Sequence, residues 1–343
     1  MGAPTVYSWD DPGAPAWPAN ANGLGLYEVL KACLVNGYGA KSGAGWSVVY
    51  DDYATSGNFS ITNGPQTGVL GLYHSKASGM QQYEPLLYVA EAMSAYDTPI
   101  NGKSLATPIT QTGFSYSYNA AVHGIGSYKG SSYSPCWIVI ANENWAWVIF
   151  ASSSAGHITF NANPPSLGTS GWQTCPVIGF GAINSPLSVY GAGETVQLGN
   201  FHIVGGKEGV DLGYPNSSFV SSSCWTGLRD HEGMPTSRRY CHLLPFSIGS
   251  YCPGILYETQ IIPGVLYSST TSSSFNTNSV QLGRCPGIFG WRDLWRFDTS
   301  AHMALHHPGG VTYRDVITLD GRQFIYGVEG RVPMLFSLEA ADW

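Results

Sequence analysis

The segment Asn22–Trp46, NGLGLYEVLKACLVNGYGAKSGAGW, joins a short amphipathic helix to a glycine-rich loop. Its first half repeats apolar residues at the i, i+3, i+4 and i+7 spacing of one helix face, at Leu26, Val29, Leu30, Cys33 and Leu34. The spacing predicts a helix over 23–35 whose N-cap is Asn22 or Gly23. The apolar face is expected to pack inward against the strand that begins at Trp46.

The loop after this helix is dense in glycine. The pair Asn36-Gly37 predicts a left-handed stop for the helix. Further glycines surround Tyr38, and the loop ends on Trp46, so we expect a tightly folded loop anchored by the indole ring. Phosphate-binding loops place their glycines before a helix, whereas these glycines follow one. The loop is therefore not predicted to bind phosphate.

The clearest β signal is a pair of apolar runs, Cys136–Ala141 and Trp145–Ala151, separated by Asn142-Glu143-Asn144. Polar turn residues between two such runs predict a β-hairpin. Because both alternating faces of each run are apolar, the hairpin is predicted to be buried between two layers. A second hairpin is predicted where Asp320-Gly321 separates two alternating runs.

Shorter apolar and β-branched runs predict strands along the rest of the chain. Leu86–Met93 contains good helix formers, but it is assigned as a strand because Pro85 begins it. The other predicted strands are Trp46–Tyr53, Val69–His74, Pro176–Ala182, Val196–Val204, Tyr240–Ile248, Gly254–Tyr257, Ile261–Ser268, Val311–Leu319, Arg322–Val328 and Val332–Leu338.

The predicted fold is mainly β, with antiparallel sheets in a sandwich-like or mixed arrangement, one short N-terminal helix and long loops. Four segments are predicted. They are an extended arm over 1–21, a helix-plus-strands subdomain over 22–100, a linker or loop rich in Gly, Ser and Tyr over 101–135, and a β-rich subdomain over 136–343.

The arm over 1–21 contains four prolines, which exclude a helix. Such an arm either packs along a neighbouring subunit or covers a sheet edge. We expect it to lie on a neighbour, because its sequence has no periodicity and little in its own subunit is expected to bury it.

Charged residues are scarce in this chain and aromatic residues are abundant. Charged residues make up 11% and aromatic residues 13% of the 343 positions, whereas about 25% of residues are charged in an ordinary globular protein. Interface cores are similarly poor in charge and rich in aromatic rings. The composition therefore favours a homo-oligomer whose surface is largely covered by copies of itself or by other proteins.

The charge balance also excludes some partners. The net charge is −7 and only 15 residues are Lys or Arg, which argues against sequence-independent nucleic-acid binding. No apolar run is long enough to predict a membrane span.

The chain has seven cysteines and no C-x-x-C pair. No secretion signal is predicted, so free thiols in a reducing cytoplasm are expected. Cys224, Cys241 and Cys252 occur near His231 and His242, but zinc sites normally include one closely spaced ligand pair. No metal is assigned to this cluster.

A second candidate metal set is His302, His306 and His307. The nearest carboxylate, Asp298, does not stand at ligand spacing, so a surface loop of histidines is the preferred interpretation.

The densest charge cluster is Arg229-Asp230-His231-Glu232, followed by Arg238-Arg239. Asp230 and Glu232 would be the acid and base of a hydrolase, but two carboxylates in one polar loop are normally solvated. No catalytic, cofactor-binding or metal-binding residue is assigned. The chain is predicted to be no enzyme and to use no cofactor.

Four blocks of the sequence carry a family resemblance. The first is Val6, Tyr7, Ser8, Asp10 and Asp11 followed by Gly13-Ala14-Pro15, and the second is LKACLVNGYGAKSGAGW over 30–46. The third is PCWIVIANENWAWVIF over 135–150, and the last comprises Gly283, Arg284, Gly287, Ile288, Phe289 and Trp291. Together these blocks resemble a family of tailed-bacteriophage virion structural proteins that share an LVNGYGxKxxxGW block.

The resemblance implies a virion component and brings no enzymatic residues with it. The leading hypothesis is a structural protein of the tail or baseplate, assembled in the host cytoplasm, that contacts other virion proteins and itself. One alternative is a virion-borne module that binds a receptor or a host-surface glycan through the aromatic stretch Ser115–Tyr133, with Tyr116, Tyr118, Tyr128 and Tyr133. The others are a capsid decoration protein and, against the residues, a cell-wall hydrolase.

Overall fold

The computed structural model describes residues 2–18, 22–64, 68–73, 86–104, 107–108, 136–151, 177–182, 201–205, 224–227, 240–244, 261–269, 280–291, 316–329 and 332–343. Over these ranges the chain is mainly β and its sheets are antiparallel, which confirms the predicted fold class.

The strands in chain order are β1 (Thr5–Ser8), β2 (Ser47–Asp52), β3 (Asn58–Thr62), β4 (Val69–Tyr73), β5 (Leu86–Ala90), β6 (Ala92–Ala95), β7 (Thr98–Ile100), β8 (Lys103–Ser104), β9 (Thr107–Pro108), β10 (Cys136–Ala141), β11 (Trp145–Ala151), β12 (Val177–Ala182), β13 (Phe201–Gly205), β14 (Cys224–Gly227), β15 (Tyr240–Leu244), β16 (Ile261–Ser269), β17 (Val280–Trp291), β18 (Val316–Leu319), β19 (Arg322–Glu329) and β20 (Val332–Ser337). The helices are α1 (Asn22–Leu30), which continues into a π-helical turn (Lys31–Asn36), α2 (Tyr53–Ser56) and a 3₁₀ turn (Ala340–Asp342).

The described strands form three six-stranded sheets and one two-stranded ribbon. Sheet A has the order β1-β10-β11-β12-β13-β14, sheet B the order β2-β3-β4-β5-β8-β9, and sheet C the order β15-β16-β17-β20-β19-β18. The ribbon is the hairpin β6–β7. Sheets A and C meet at Trp147, whose indole N–H donates to the Pro286 carbonyl at 2.7 Å and whose ring lies 5.6 Å from that of Phe336.

The predicted hairpin β10–β11 is confirmed with its turn. The strands pair from Cys136 opposite Ala151 to Ala141 opposite Ala146, and both faces are buried over 137–141 and 145–149. The Asn142 side chain closes the turn, because its Oδ1 accepts from the amides of Asn144 and Trp145 at 2.9 and 3.0 Å.

The predicted hairpin β18–β19 is also confirmed. Asp320 and Gly321 both have positive φ, 50° and 74°, as the tight hairpin turn that favours Asp-Gly requires. β18 begins at Val316, and the first part of the predicted strand, 311–315, lies outside the described residues.

The remaining strand predictions hold, with shifted ends, where they fall on described residues. Leu86–Met93 is a strand as far as Ala90, and Met93 lies in β6. Gly254–Tyr257 lies outside the described residues, as do 196–200 and 245–248.

Several strands of the structure were not predicted from sequence patterns, among them β7 and β14. β3, which lies between β2 and β4 in sheet B, was also missed. So was β17, the central partner of β16 and β20, because its glycines and Pro286 do not follow an alternating pattern.

The predicted helix over 23–35 is confirmed in extent, and its apolar face is buried as expected, at Leu26, Val29, Leu30, Cys33 and Leu34. Its second half differs, because residues 31–36 form a π-helical turn that ends with the Gly37 amide donating to the Ala32 carbonyl at 2.7 Å. Gly37 has the predicted positive φ of 77°, but its ψ is 172°. The predicted left-handed stop is therefore wrong, and the helix ends in an extended glycine conformation.

The expectation that little in its own subunit buries the arm is also wrong. β1 pairs with β10 at the edge of sheet A, and Tyr7 and Trp17 are buried in the core. The Trp17 ring lies so close to Gly25 that a Cβ on Gly25 would come within 2.3 Å of it. The arm therefore covers a sheet edge of its own chain, the second of the two placements considered.

One hydrophobic cluster joins the arm, the helix, sheet B and sheet A. It includes Tyr7 and Trp17 of the arm, the buried face of α1, Phe59 and Leu72 of sheet B, and the inward side chains of β10 to β12. Burial of this apolar surface is the main stabilising term for the N-terminal part of the fold. The division of the chain at residues 100 and 135 stays a prediction.

Candidate functional site

The most elaborate polar site in the described chain lies where β1 meets the glycine-rich loop. The backbone groups of Tyr7 and Trp9 point toward β10, and the Trp9 amide donates to the Trp137 carbonyl at 3.1 Å. Because backbone direction alternates along a strand, the peptide groups of Val6 and Ser8 point away from β10, toward the loop. We call the contacts made there by Asp11, Tyr38 and Lys41 the clasp.

Lys41 supplies the cation of the clasp. Its Nζ donates to the Val6 carbonyl at 2.7 Å and to Asp11 Oδ2 at 2.5 Å. Lys41 is therefore both a hydrogen-bond donor to the strand edge and the partner of the carboxylate that follows the strand.

Tyr38 and Asp11 cap the next peptide group along the same edge. The Ser8 amide donates to Asp11 Oδ2 at 2.7 Å and to the Tyr38 hydroxyl at 3.0 Å. The Tyr38 hydroxyl in turn donates to Asp11 Oδ2 at 2.7 Å. The carboxylate of Asp11 thus accepts from a lysine, a tyrosine and a backbone amide at once.

Glycines let the loop approach closely enough to make these bonds. Tyr38 and Lys41 exchange two backbone hydrogen bonds of 2.9 Å, which close a tight turn. A Cβ on Gly39, whose φ is +56°, would lie 2.3 Å from the Pro12 carbonyl oxygen, and one on Gly43 would lie 2.3 Å from the Val35 oxygen. No larger residue fits at either position without moving the backbone.

The loop is fixed at its other end by Trp46, the anchor that the sequence predicted. Its ring is buried and meets Phe180 edge-on at 5.8 Å. The indole N–H donates to the Asn142 carbonyl at 2.9 Å, in the β10–β11 turn. The Trp46 amide donates to the Leu34 carbonyl at 3.0 Å, which ties the loop back to the end of the helix.

The start of the arm reaches the same turn. The Gly2 amide donates to Glu143 Oε1 at 3.1 Å, and the Asn142 side chain donates to the Gly2 carbonyl at 3.3 Å. The arm and the glycine-rich loop are therefore both attached to the β10–β11 turn.

The directions of the pKa shifts in the clasp favour a structural role for these side chains over acid–base chemistry. Burial alone would raise the pKa of the Asp11 carboxyl, but hydrogen bonds from Lys41, Tyr38 and the Ser8 amide together lower it below its ordinary value. Burial raises the pKa of Tyr7 to about 12, and burial, followed by the hydrogen bond to Asp11, raises the pKa of Tyr38. At neutral pH Asp11 is ionised and both phenols are protonated, so each group stays in the form its partners require.

The buried thiol beneath the clasp is inert by the same argument. Burial, followed by the negative charge of Asp11, raises the pKa of Cys33 well above its ordinary value. A thiol held neutral is a poor nucleophile and metal ligand. Cys33 is a buried free thiol, and Cys285 is buried in β17.

The residues that the sequence singled out for metal or acid–base chemistry lie elsewhere. Cys224 is in β14 of sheet A, and Cys241 and His242 are in β15 of sheet C, but their side chains are outside the described part of the structure. The other candidates lie outside the described residues: Tyr116, Tyr118, Tyr128, Tyr133, Arg229, Asp230, His231, Glu232, Arg238, Arg239, Cys252, Asp298, His302, His306 and His307.

Within the described ranges no three His, Cys, Asp or Glu side chains gather as a metal site. No helix in those ranges is long and apolar enough to cross a membrane.

The clasp was not predicted from the sequence. Asp11 and Lys41 appeared there only as members of the resemblance blocks and Tyr38 only as a residue of the glycine-rich loop, and no spacing rule connects residue 11 with residue 41. The available signal was an isolated lysine in an otherwise uncharged glycine loop, since such a charge needs a partner when the loop is packed.

Comparison with protein-family models and with curated proteins finds no match for this chain.

Proposed function

We propose that this chain is a non-enzymatic structural component of a tailed-bacteriophage virion, located in the tail or baseplate. It acts by geometry, through contacts with further copies of itself and with other virion proteins. No cofactor takes part. The proposal starts from the resemblance of the sequence blocks and is supported by two features of the molecule.

The observation that carries the proposal is the meeting of two resemblance blocks in one site. The Val6–Pro15 block and the LVNGYGAKSGAGW block are interlocked by Lys41, Tyr38 and Asp11. The third block, β10–β11, receives both of them, through β1 pairing and through the Trp46–Asn142 hydrogen bond. Three separate blocks thus serve one structural unit, and this is the pattern expected when a family shares a building block instead of a catalytic centre.

The second support is the use made of the few charged residues. In the clasp, Lys41 and Asp11 pair with each other and close a strand edge. Elsewhere, Arg322 pairs with Asp342, and the Arg322 guanidinium lies 4.5 Å from the centre of the Phe289 ring. Only 11% of residues are charged, so the surface of a free monomer has fewer charged groups than is usual to keep it apart from other proteins. Such a composition suits a subunit that is covered in an assembly.

The test is to locate the protein in particles. Antibodies raised against the purified chain are applied to intact phage from a host that carries this gene, and the labelled particles are imaged by electron microscopy. Label on the tail or baseplate supports the proposal. Label on the head favours the capsid-decoration alternative, and particles that lack the protein altogether refute a virion role.

A binding assay separates the receptor alternative from the structural one. The purified chain is tested on a glycan array and, in parallel, by sedimentation over a range of protein concentrations. Self-association without glycan binding supports a structural subunit. Specific glycan binding by a chain that stays monomeric contradicts it.

A further inference from the structure

Four Asn-Gly dipeptides occur in the chain, at Asn22-Gly23, Asn36-Gly37, Asn63-Gly64 and Asn101-Gly102, and all four lie in the described residues. Asparagine followed by glycine is the sequence most prone to loss of the side-chain amide, because glycine has no Cβ to hinder attack by its own backbone nitrogen. Whether a given pair reacts depends on how firmly the structure holds that nitrogen.

In three of the four pairs, a hydrogen bond or a helix restrains the backbone nitrogen of the glycine. The Gly37 amide donates to the Ala32 carbonyl at 2.7 Å, and the Gly64 amide donates to Thr62 Oγ1 at 3.1 Å. Asn22-Gly23 begins α1, where helical dihedral angles fix the backbone. At each of these positions ring closure requires breaking a hydrogen bond or unwinding a helix.

In the fourth pair, Asn101-Gly102, the asparagine side chain is restrained instead of the glycine nitrogen. Asn101 is exposed, lies between β7 and β8, and has a φ of +49°. Gly102 is buried, and among the described residues its amide donates none of the backbone hydrogen bonds that lie outside the strands and helices. The Asn101 side chain is instead tethered, because its Nδ2 donates to Glu91 Oε2 at 2.8 Å.

We propose that Asn101-Gly102 is a site of spontaneous deamidation that loosens the β6–β7 hairpin as the protein ages. The backbone nitrogen of Gly102 loses its proton and attacks Asn101 Cγ, and the new C–N bond closes a five-membered succinimide as Nδ2 leaves as ammonia. Water then opens either carbonyl of the ring, which yields Asp or isoAsp at position 101. No enzyme, metal or oxidant is required.

The consequence follows from where Asn101 and Glu91 stand. Glu91 directly precedes β6 and Asn101 directly follows β7, so their side-chain bond closes the base of the hairpin together with the Glu91 amide, which donates to the Ile100 carbonyl at 3.0 Å. After deamidation a second carboxylate faces Glu91 where a donor stood, and like charges repel. The isoAsp product also lengthens the backbone beside the Ala92–Ile100 pair.

The hairpin that would loosen carries exposed apolar side chains. Tyr96 is 42% exposed and Ile100 is 40% exposed. Deamidation therefore changes the presentation of an aromatic surface turn. The inference rests on the geometry at residues 91–102 and is independent of the proposed function.

Peptide mapping tests the site with an internal reference. The full chain is aged at mildly alkaline pH and physiological temperature, sampled over days and digested with trypsin. The tryptic peptide 77–103 contains Asn101 as its only asparagine, and the peptide 32–41 contains only Asn36. We expect the mass gain of amide-to-acid conversion to grow several-fold faster in 77–103 than in 32–41. Equal rates, a faster gain in 32–41, or no gain in 77–103 overturns the proposal.

Two further samples isolate the role of the fold. In urea the two peptides are expected to convert at similar rates, so that the difference disappears with the structure; a difference that persists in urea refutes the structural cause. Asn101→Gln, which cannot form the five-membered ring readily, is the matched control for ageing. Amide hydrogen exchange over 92–100 should accelerate in the aged chain and in Asn101→Asp, but not in aged Asn101→Gln, and unchanged exchange in aged protein contradicts the loosening of the hairpin.

Discussion

The Lys41 ammonium lies 2.7 Å from the backbone oxygen of Val6, 35 residues earlier in the chain. Val6 belongs to β1, the edge strand of sheet A, and its carbonyl points outward, where a further strand would otherwise pair. A lysine on a sheet edge is a common means of preventing unwanted strand addition. The clasp therefore stabilises the arm and also closes an edge through which sheets associate.

Lys41→Met should weaken the fold and open this edge. The substitution removes the donor to Val6 and the ion pair to Asp11 while preserving much of the side-chain length. Because the pair is partly exposed, we expect a loss of about 1 kcal/mol in the free energy of unfolding, measured by urea denaturation, and increased self-association in sedimentation. Lys31→Met is the matched control, since Lys31 forms a similarly exposed pair with Asp51 away from β1. Equal effects of the two substitutions would count against a special role for the clasp.

The clasp should also make stability depend on acidity. The pKa of Asp11 is lower in the folded chain than its ordinary value of 3.8, so its contribution is fully present above that value and is lost as the pH falls toward the folded pKa. The stability difference between the wild type and Asp11→Asn, measured by urea denaturation from neutral to acid pH, should therefore shrink below pH 3.8. A difference that does not change with pH would show that the charge of Asp11 is unimportant.

Gly37→Ala should be more destabilising than the same change at another positive-φ glycine. At Gly37 the new Cβ would lie 2.3 Å from the Lys41 carbonyl oxygen and 2.8 Å from the Gly43 nitrogen, whereas at Gly321 nothing lies within 4 Å. Gly321→Ala isolates the conformational cost of about 1 kcal/mol, and Gly37→Ala should exceed it by at least about 1 kcal/mol. Indistinguishable unfolding midpoints would mean that the loop moves freely to accept the methyl group.

Leu30→Ala tests the buried face of the helix. Leu30 is 1% exposed within the shared core, so its truncation should reduce the free energy of unfolding by about 2–5 kcal/mol. Leu24→Ala on the same helix is the control, because Leu24 is 37% exposed and its loss should change stability by less than about 0.5 kcal/mol. If both substitutions cost the same, α1 is not packed as described.

Local patterns in the sequence predicted those parts of the fold that neighbouring residues determine. Apolar alternation and a polar turn predicted β10–β11, and Asp320-Gly321 predicted β18–β19 because two successive positive φ angles suit that pair. The helix face was read correctly for the same reason. In each case the residues that define the element are also the ones that contact each other.

The parts that were missed depend on partners far away in the chain. β17 contains Pro286 and several glycines, and its strand is tolerated because a distant ring fills the space: a Cβ on Gly287 would lie 2.4 Å from Trp343. The arm looked unburied because Tyr7 and Trp17 pack against residues that only the folded chain brings near. The clasp combines both difficulties, since Asp11 and Lys41 acquire their roles only after the arm has paired with β10.

The π-helical turn at Lys31–Asn36 makes chain length at this point as consequential as chemistry. A π turn holds one residue more than an α turn, so the direction in which the loop leaves the helix depends on the number of residues between Leu30 and Gly37. Removing one of them would restore an α-helical path and rotate the exit by about 100°, which would carry Tyr38 and Lys41 away from β1. Half-buried positions such as Ala32 and Val35 should therefore accept substitution, while a single-codon insertion or deletion in the same six residues would disconnect the helix from the arm.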